Sequence, residues 1–300
     1  MKRIVLVSDT DYGILTRGFV ARLFPPRYGR VLGSDRPLKE FVALARRLAE
    51  YGYVTAPASN PPDLASRDRI EVIQIGPGNL DDDLPLLRRY GDRNASEWNR
   101  RNLEMIEYFN HYIDLGRRTW NVNLRYGAGQ GELRRIFAEH GALFIKSVLK
   151  GHAALVTDVE AYLREFGRLD QVSDDSLTLL VSEVLHIREI DASIDGRRVR
   201  RTDEWRHHVY RGQRVATTHA FDCDESRTSD EHRARNAEHA EGVAARLRPT
   251  DFATSYVLDT CTLEDGRCAV IEANPFFASG IYSPTAVEAI ARALGESSPD

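Results

Sequence analysis

Three oxygen-bearing side chains near the C-terminus have the spacing of a cation site: Asp259, Glu272 and Asn274. Glu272 and Asn274 lie two apart in Val270-Ile271-Glu272-Ala273-Asn274-Pro275, a strand-like run in which residues i and i+2 face the same side. Asp259 ends a second such run, Phe252 to Leu258, and the turn residues Glu264-Asp265-Gly266 would fold it back beside the pair. Carboxylates among Val270 and Ile271 are costly unless paired or metal-bound. An all-oxygen set suits Mg²⁺, a hard cation that keeps waters and is completed by substrate phosphates. Solvated polar alternates on a half-exposed strand are the plain alternative.

The basic residues carry a second signal. Of 41 Lys plus Arg only four are lysines, Lys2, Lys39, Lys146 and Lys150. A chain that uses arginine for generic positive charge but places two lysines four apart asks for the compact ammonium, which serves phosphate as a point charge. Two further groups are weaker alone: the lone acid of Leu180-Val181-Ser182-Glu183-Val184-Leu185, and Glu204-Trp205-Arg206, where Glu204 and Arg206 share a face.

The elements that must position these groups can be read from the periodicity. Ile4 to Val7 and Val72 to Ile75 read as buried strands, with a helix between them that Asp35 caps, Leu38, Phe41, Val42, Ala45 and Leu48 line and Gly52 stops. Ser96 caps a helix striped by Trp98, Met105, Ile106, Phe109 and Ile113. YGAGQG at 126–131 is a loop into a helix with Leu133, Ile136 and Phe137, since it lacks the lysine and Ser/Thr of a phosphate loop. Ala142 to Lys146 is a strand, Thr157 to Glu160 a capping box, and Leu177 to Ser182 another strand. Arg206–Tyr210 and Gln213–Phe221 form a hairpin turning at Arg211-Gly212, and a charged helix covers about 229–247, on which His232 and His239 read as solvent-facing. Ser283-Pro284 opens a closing helix with Ala286, Ile290 and Leu294 on one side.

Composition narrows the function classes. Apolar residues are 42% and charged residues 29% of 300, an ordinary globular balance, and the net charge of −4 gives no footprint for nucleic acid. No apolar run approaches the ~18 residues of a membrane span, and MKRIVLVSD enters a strand-like run rather than a secretion signal. Three cysteines, Cys223, Cys261 and Cys268, without CxxC spacing suit a reducing cytoplasm. No Ser-His-Asp or Cys-His arrangement stands out, and His207 and His208, adjacent on a strand, point to opposite faces.

The order Phe144-Ile145-Lys146, Val181-Ser182-Glu183-Val184-Leu185, Glu204-Trp205-Arg206 before Gly212, then Asp259 and Ile271-Glu272-Ala273-Asn274-Pro275 resembles the ATP-grasp fold of carboxylate–amine ligases, and is most similar in pattern to its R2K clade. The resemblance covers about 142–282 and implies an α/β (α+β) class: an N-terminal α/β pre-grasp domain over 1–120, a first grasp subdomain with the lysine-bearing strands over 121–182, and a second, Mg²⁺-binding subdomain over 183–300. No proline follows Lys146, and the insert between Leu185 and Glu204 is long, two departures from the family pattern.

The implied roles are specific. ATP would be held by Lys146 and Lys150, by Glu183 with the backbone of Val184 and Leu185 at the adenine, and by Glu204 near the ribose or phosphates. Asp259, Glu272 and Asn274 would hold Mg²⁺. Arg206, with Lys150, would neutralise the γ-phosphate and then the acyl-phosphate as an amine attacks it. Ser279, Gly280 and Tyr282, directly after the metal strand, would touch the substrate. The resemblance thus implies an ADP-forming ligase for small-molecule carboxylate and amine substrates, an amino acid or peptide among them, and a homodimer. A phosphotransferase or a non-catalytic nucleotide-binding protein would be other uses of the fold. The arginines at 188, 197, 198, 200 and 201 would receive an acidic carrier protein or peptide, or form a solvated hairpin loop.

Overall fold

The structure, a computed structural model, describes residues 3–7, 36–57, 69–73, 115–120, 122, 129–147, 153–170, 179–194, 197–220, 225–226, 230–247, 255–276 and 280–296. The expected cap Asp35, the stripe from Trp98 to Ile113, Cys223, Lys150 and Ser279 lie outside those residues.

In the N-terminal part, β1 (Arg3–Val7) pairs in parallel with both β2 (Tyr53–Pro57) and β3 (Arg69–Ile73), giving the order β2-β1-β3. Helix α1 (Arg36–Glu50) connects β1 to β2 and ends where Gly52 takes a φ of 82°, which only glycine adopts freely. Its buried stripe runs through Glu40, Leu44 and Leu48, of which the apolar pattern had shown only Leu48. Strand β3 begins at Arg69, earlier than expected, and pairs along all of β1.

A second sheet, ordered β4-β7-β5-β6, joins β4 (Thr119–Trp120), β5 (Leu143–Ser147), β6 (Ala153–Val156) and β7 (Leu179–Glu183), all antiparallel. Leu143, Ile145, Leu179 and Val181 face helices α2 (Gln130–His140) and α3 (Val159–Asp170), which contribute Leu133, Ile136, Tyr162 and Phe166 to the same core. Alternation therefore turns Lys146 to the other face. The cap of α3 is Asp158, whose Oδ1 accepts the Ala161 N–H at 2.7 Å, rather than Thr157.

The third sheet, β11-β10-β13-β14, consists of β10 (Glu204–Tyr210), β11 (Gln213–His219), β13 (Tyr256–Thr262) and β14 (Cys268–Pro275). Arg211 and Gly212, at φ 50° and 75°, make the tight turn between β10 and β11. Strand β13 runs further than the sequence pattern suggests, because its ladder with β10 continues to Cys261; Asp259 is thus inside the strand, not at its end. Helix α4 (Asp230–Arg246) covers one face of this sheet through Ala240, Val243 and Ala244 against Val209, Tyr256, Leu258 and Val270. Helix α5 (Pro284–Glu296) packs Ala286, Val287, Ile290 and Leu294 against Leu44, Leu48 and Tyr53, locking the N-terminal part to the third sheet.

The arginine-rich insert is an antiparallel hairpin, β8 (Glu189–Ile194) and β9 (Arg197–Thr202), with β12 (Glu225–Ser226) on its other side. Arg200 pairs with Glu189 at 3.1 Å and Arg198 with Asp191, so two of its arginines are neutralised across the hairpin. Among the described residues no helix is long and apolar enough to cross a membrane.

Candidate active site

One face of the third sheet gathers five of the residues that the sequence singles out: Glu204, Arg206, Asp259, Glu272 and Asn274. The ladders place Arg206 opposite Asp259 and Asp259 opposite Glu272, three adjacent strands in one row. A bulge between Asp259 and Thr260 leaves Ile271 without an opposite residue and turns Glu272 and Asn274 to the face that Asp259 and Arg206 share. Asn274 Nδ2 donates to Asp259 Oδ2 at 3.0 Å and to Glu272 Oε1 at 2.9 Å, so the amide ties the two carboxylates together.

Each carboxylate also meets a cation. Arg206 donates from Nε to Asp259 Oδ1 at 2.7 Å and from Nη2 to Oδ2 at 2.6 Å. Burial alone would weaken the guanidinium's hold on its proton, but the Asp259 charge beside it prevails and raises its pKa. Lys146 comes from the second sheet and sets Nζ 3.3 Å from Glu272 Oε2, linking the second sheet to the third. Lys146, Glu272, Asn274, Asp259 and Arg206 form one continuous polar series.

Two sets of contacts flank it. Arg206 Nη1 donates to the Gly280 carbonyl at 3.1 Å, and the Tyr282 ring lies under the guanidinium, 4.7 Å from its centre. Glu204 lies on the same strand face and accepts the Thr202 hydroxyl at 2.5 Å. Burial, with Asp259 and Glu272 nearby, pushes its pKa above the ordinary carboxylate value, against the opposing pull of Thr202 and Arg206. On the second sheet Phe144 and Leu155 stand opposite each other, exposed, on the face that carries Lys146.

Glu183 behaves differently. Its Oε1 accepts the Arg118 N–H at 2.9 Å, and its own N–H donates to the Arg118 carbonyl at 3.1 Å. Val184 and Leu185 follow it out of β7, and Leu185 packs against Cys261 and Leu263. His207 and His208 are both fully buried and part as expected: His207 bonds Thr217 and Thr260, while His208 lies edge-on against Phe276. His232 is not solvent-facing, because its ring contacts Arg188 at 3.1 Å and approaches the buried Asp203. Cys261 is a buried free thiol and Cys268 a half-buried one.

Sequence reading missed Arg117 and Glu40. Arg117 donates from Nε to the Val270 carbonyl at 2.6 Å and from Nη2 to that of Ile271 at 2.8 Å, fixing the bulge that aims Glu272. Nothing in Leu115-Gly116-Arg117-Arg118 marks that role. Glu40 did carry a signal, a lone acid in register with Leu44 and Leu48 on an apolar helix face.

Among the described residues no three His, Cys, Asp or Glu side chains converge as a metal cage. The set here is two carboxylates and an amide, an oxygen donor chemistry that fits a hard dication completed by other oxygen ligands.

The model of the ATP-grasp domain, R2K clade family 3, matches residues 142–294, just over half of the chain, and the chain belongs to that family. Its fold is that of ATP-grasp ligases over nearly its whole length. A RimK domain ATP-grasp protein from Sphaerobacter thermophilus superposes with a TM-score of 0.57 at 17% identity, covering 98% of each chain. The D-cycloserine synthetase DcsG superposes at 0.54 with 15% identity, over 97% of this chain and 99% of its own. The ATP-grasp ligase PsnB, complexed with a phosphomimetic variant of its minimal precursor, Mg and ADP, gives 0.51 at 14% identity, over 99% and 98%. No curated protein matches the sequence.

Proposed function

We propose that the protein is an ATP-dependent, ADP-forming ligase that activates a carboxylate as an acyl-phosphate and joins it to an amine. The observation that carries this reading is the series Lys146–Glu272–Asn274–Asp259–Arg206, in which cationic groups from two sheets meet an all-oxygen donor set. The family membership and the co-complex of PsnB with Mg and ADP agree with it.

Asp259, Glu272 and Asn274 would hold Mg²⁺, which when bound neutralises phosphate charge and orients the transferring group. Lys146, released from Glu272, turns its ammonium to phosphate oxygens. Phe144 and Leu155 supply an apolar surface for the flat base. The carboxylate substrate attacks the γ-phosphate in line and ADP leaves. Arg206, rigidly seated, meets the charge of the transferred phosphoryl group and then the oxyanion formed as the amine attacks the acyl-phosphate and phosphate departs. Glu204, already inclined to hold a proton, lies beside that reaction. Gly280 and Tyr282 border the acceptor side, and the substrates are an amino acid or peptide pair.

The test is thermal stabilisation by ADP with and without Mg²⁺, followed by ADP release from ATP with pools of acids and amines. A ligand at ~100 times its dissociation constant adds about 2.7 kcal/mol. A rise in Tm that requires Mg²⁺, together with ADP release that requires both an acid and an amine, supports the ligase. ADP release with an acid alone identifies a phosphotransferase, and no rise with any nucleotide overturns both.

A further inference from the structure

A helix of the N-terminal part reaches the active-site loop. Glu40 on α1 is only 6% exposed, and its Oε2 accepts two consecutive backbone N–H groups, Ile281 at 3.1 Å and Tyr282 at 2.9 Å. Successive N–H groups aimed at one oxygen form an anion nest, here just ahead of the N-terminus of α5. Tyr282 has a φ of 63°, a left-handed conformation that a bulky residue keeps only where its surroundings hold it. The same loop meets Arg206 twice, through the Gly280 carbonyl and the Tyr282 ring.

We infer that Glu40 is a positioning residue for Arg206, acting through the loop 280–282; the inference rests on the proposed role of Arg206 at the γ-phosphate. Asp259 fixes the Nε and Nη2 edge of the guanidinium, whereas the loop fixes Nη1 and one face. Without the Glu40 carboxylate the two N–H groups lose their acceptor and the left-handed backbone at Tyr282 loses its anchor. Arg206 then keeps Asp259 but not its aim.

The experiment compares binding of AMPPNP and ADP, each with Mg²⁺, since only the first carries a γ-phosphoryl group for Arg206 to meet. Wild type prefers AMPPNP, and Arg206→Ala abolishes the preference. Glu40→Ala reduces the preference roughly tenfold, the scale of losing charge-assisted hydrogen bonds, and leaves ADP affinity unchanged within about twofold. Glu40→Gln, whose amide oxygen can accept the same two N–H groups, restores most of the preference. If Glu40→Ala does not fold, Glu40→Asp withdraws the oxygen by one methylene and is read by the same ratio. A preference retained in Glu40→Ala, or in Glu40→Asp where that replaces it, but lost in Arg206→Ala overturns the inference alone. An equal loss of ADP and AMPPNP binding makes Glu40 a fold-holding residue and also overturns it. A preference retained in Arg206→Ala overturns the role of Arg206 itself, and the positioning role falls with it.

Discussion

Arg206 and Asp259 stand opposite each other on adjacent strands and join edge to edge through hydrogen bonds of 2.7 and 2.6 Å, with their side chains 11% and 8% exposed. A buried pair of this kind adds little net stability, but removing one member strands the other without a partner. Asp259→Asn should therefore lower stability by about 3 kcal/mol, read as a shifted denaturant midpoint. The same variant should lose the Mg²⁺ dependence of ADP stabilisation. An unchanged midpoint would show that the pair is not buried in solution.

Lys146 and Glu272 are more open to water, and their ion pair contributes about 1 kcal/mol or less. Lys146→Met should leave Tm nearly unchanged while removing most of the stabilisation by ADP. Stabilisation by ADP equal to wild type would take Lys146 out of the nucleotide site.

Burial holds the rings of His207 and His208 neutral and moves both pKa values from 6.5 to about 3, with Arg214 and Arg206 respectively adding to the effect. A pKa lower in the folded state means that the stability is present above 6.5 and drains away as pH falls toward 3. Each ring adds up to ~1.4 kcal/mol per pH unit of acid sensitivity in that window. Among the described residues neither nitrogen of His208 has a hydrogen-bond partner, so His208→Leu should hold or raise Tm at pH 7.5 and flatten its fall between pH 6.5 and 5. A fall as steep as wild type would assign the acid sensitivity elsewhere.

Gly116 and Gly212 separate two costs that glycine replacement mixes. Both have positive φ, 71° and 75°, but a Cβ on Gly116 would sit 2.1 Å from the Cys268 carbonyl oxygen, whereas one on Gly212 meets nothing within 4 Å among the described residues. Gly212→Ala should cost about 1 kcal/mol, the conformational part alone. Gly116→Ala should cost clearly more, because it also pushes the 115–118 segment off β14, where Leu115 accepts the Val270 N–H at 2.7 Å. Equal urea midpoints for the two variants would contradict this.

The C-terminal site was legible because strand period and turn chemistry are local signals. Glu272 and Asn274 must share a face, and the turn at Glu264–Gly266 returns them to Asp259. The hairpin turn at Arg211-Gly212 and the closing helix were readable for the same reason. What could not be read was which cation serves which acid. The partnership of Lys146 with Glu272 crosses two sheets and 126 positions, and no local pattern encodes it. The interior position of Asp259 was also hidden, since the length of β13 is set by its partner β10 rather than by its own composition. The charged insert looked like loop because its solvent-facing arginines mask the alternation of Ala192 and Val199, which the pairing with β8 reveals.

The two ion pairs of the site have a consequence for how a ligand arrives. Lys146 with Glu272 and Arg206 with Asp259 are two positive and two negative charges, so the quartet is electrically closed and projects little field beyond its own walls. Under the proposed function it would work as an ion exchanger and not as a funnel. On that function, Asp259 and Glu272 would hold a dication, which would leave the Lys146 ammonium available to a polyphosphate. Metal and nucleotide would then act as a single cooperative ligand, the binding of one opening the place of the other.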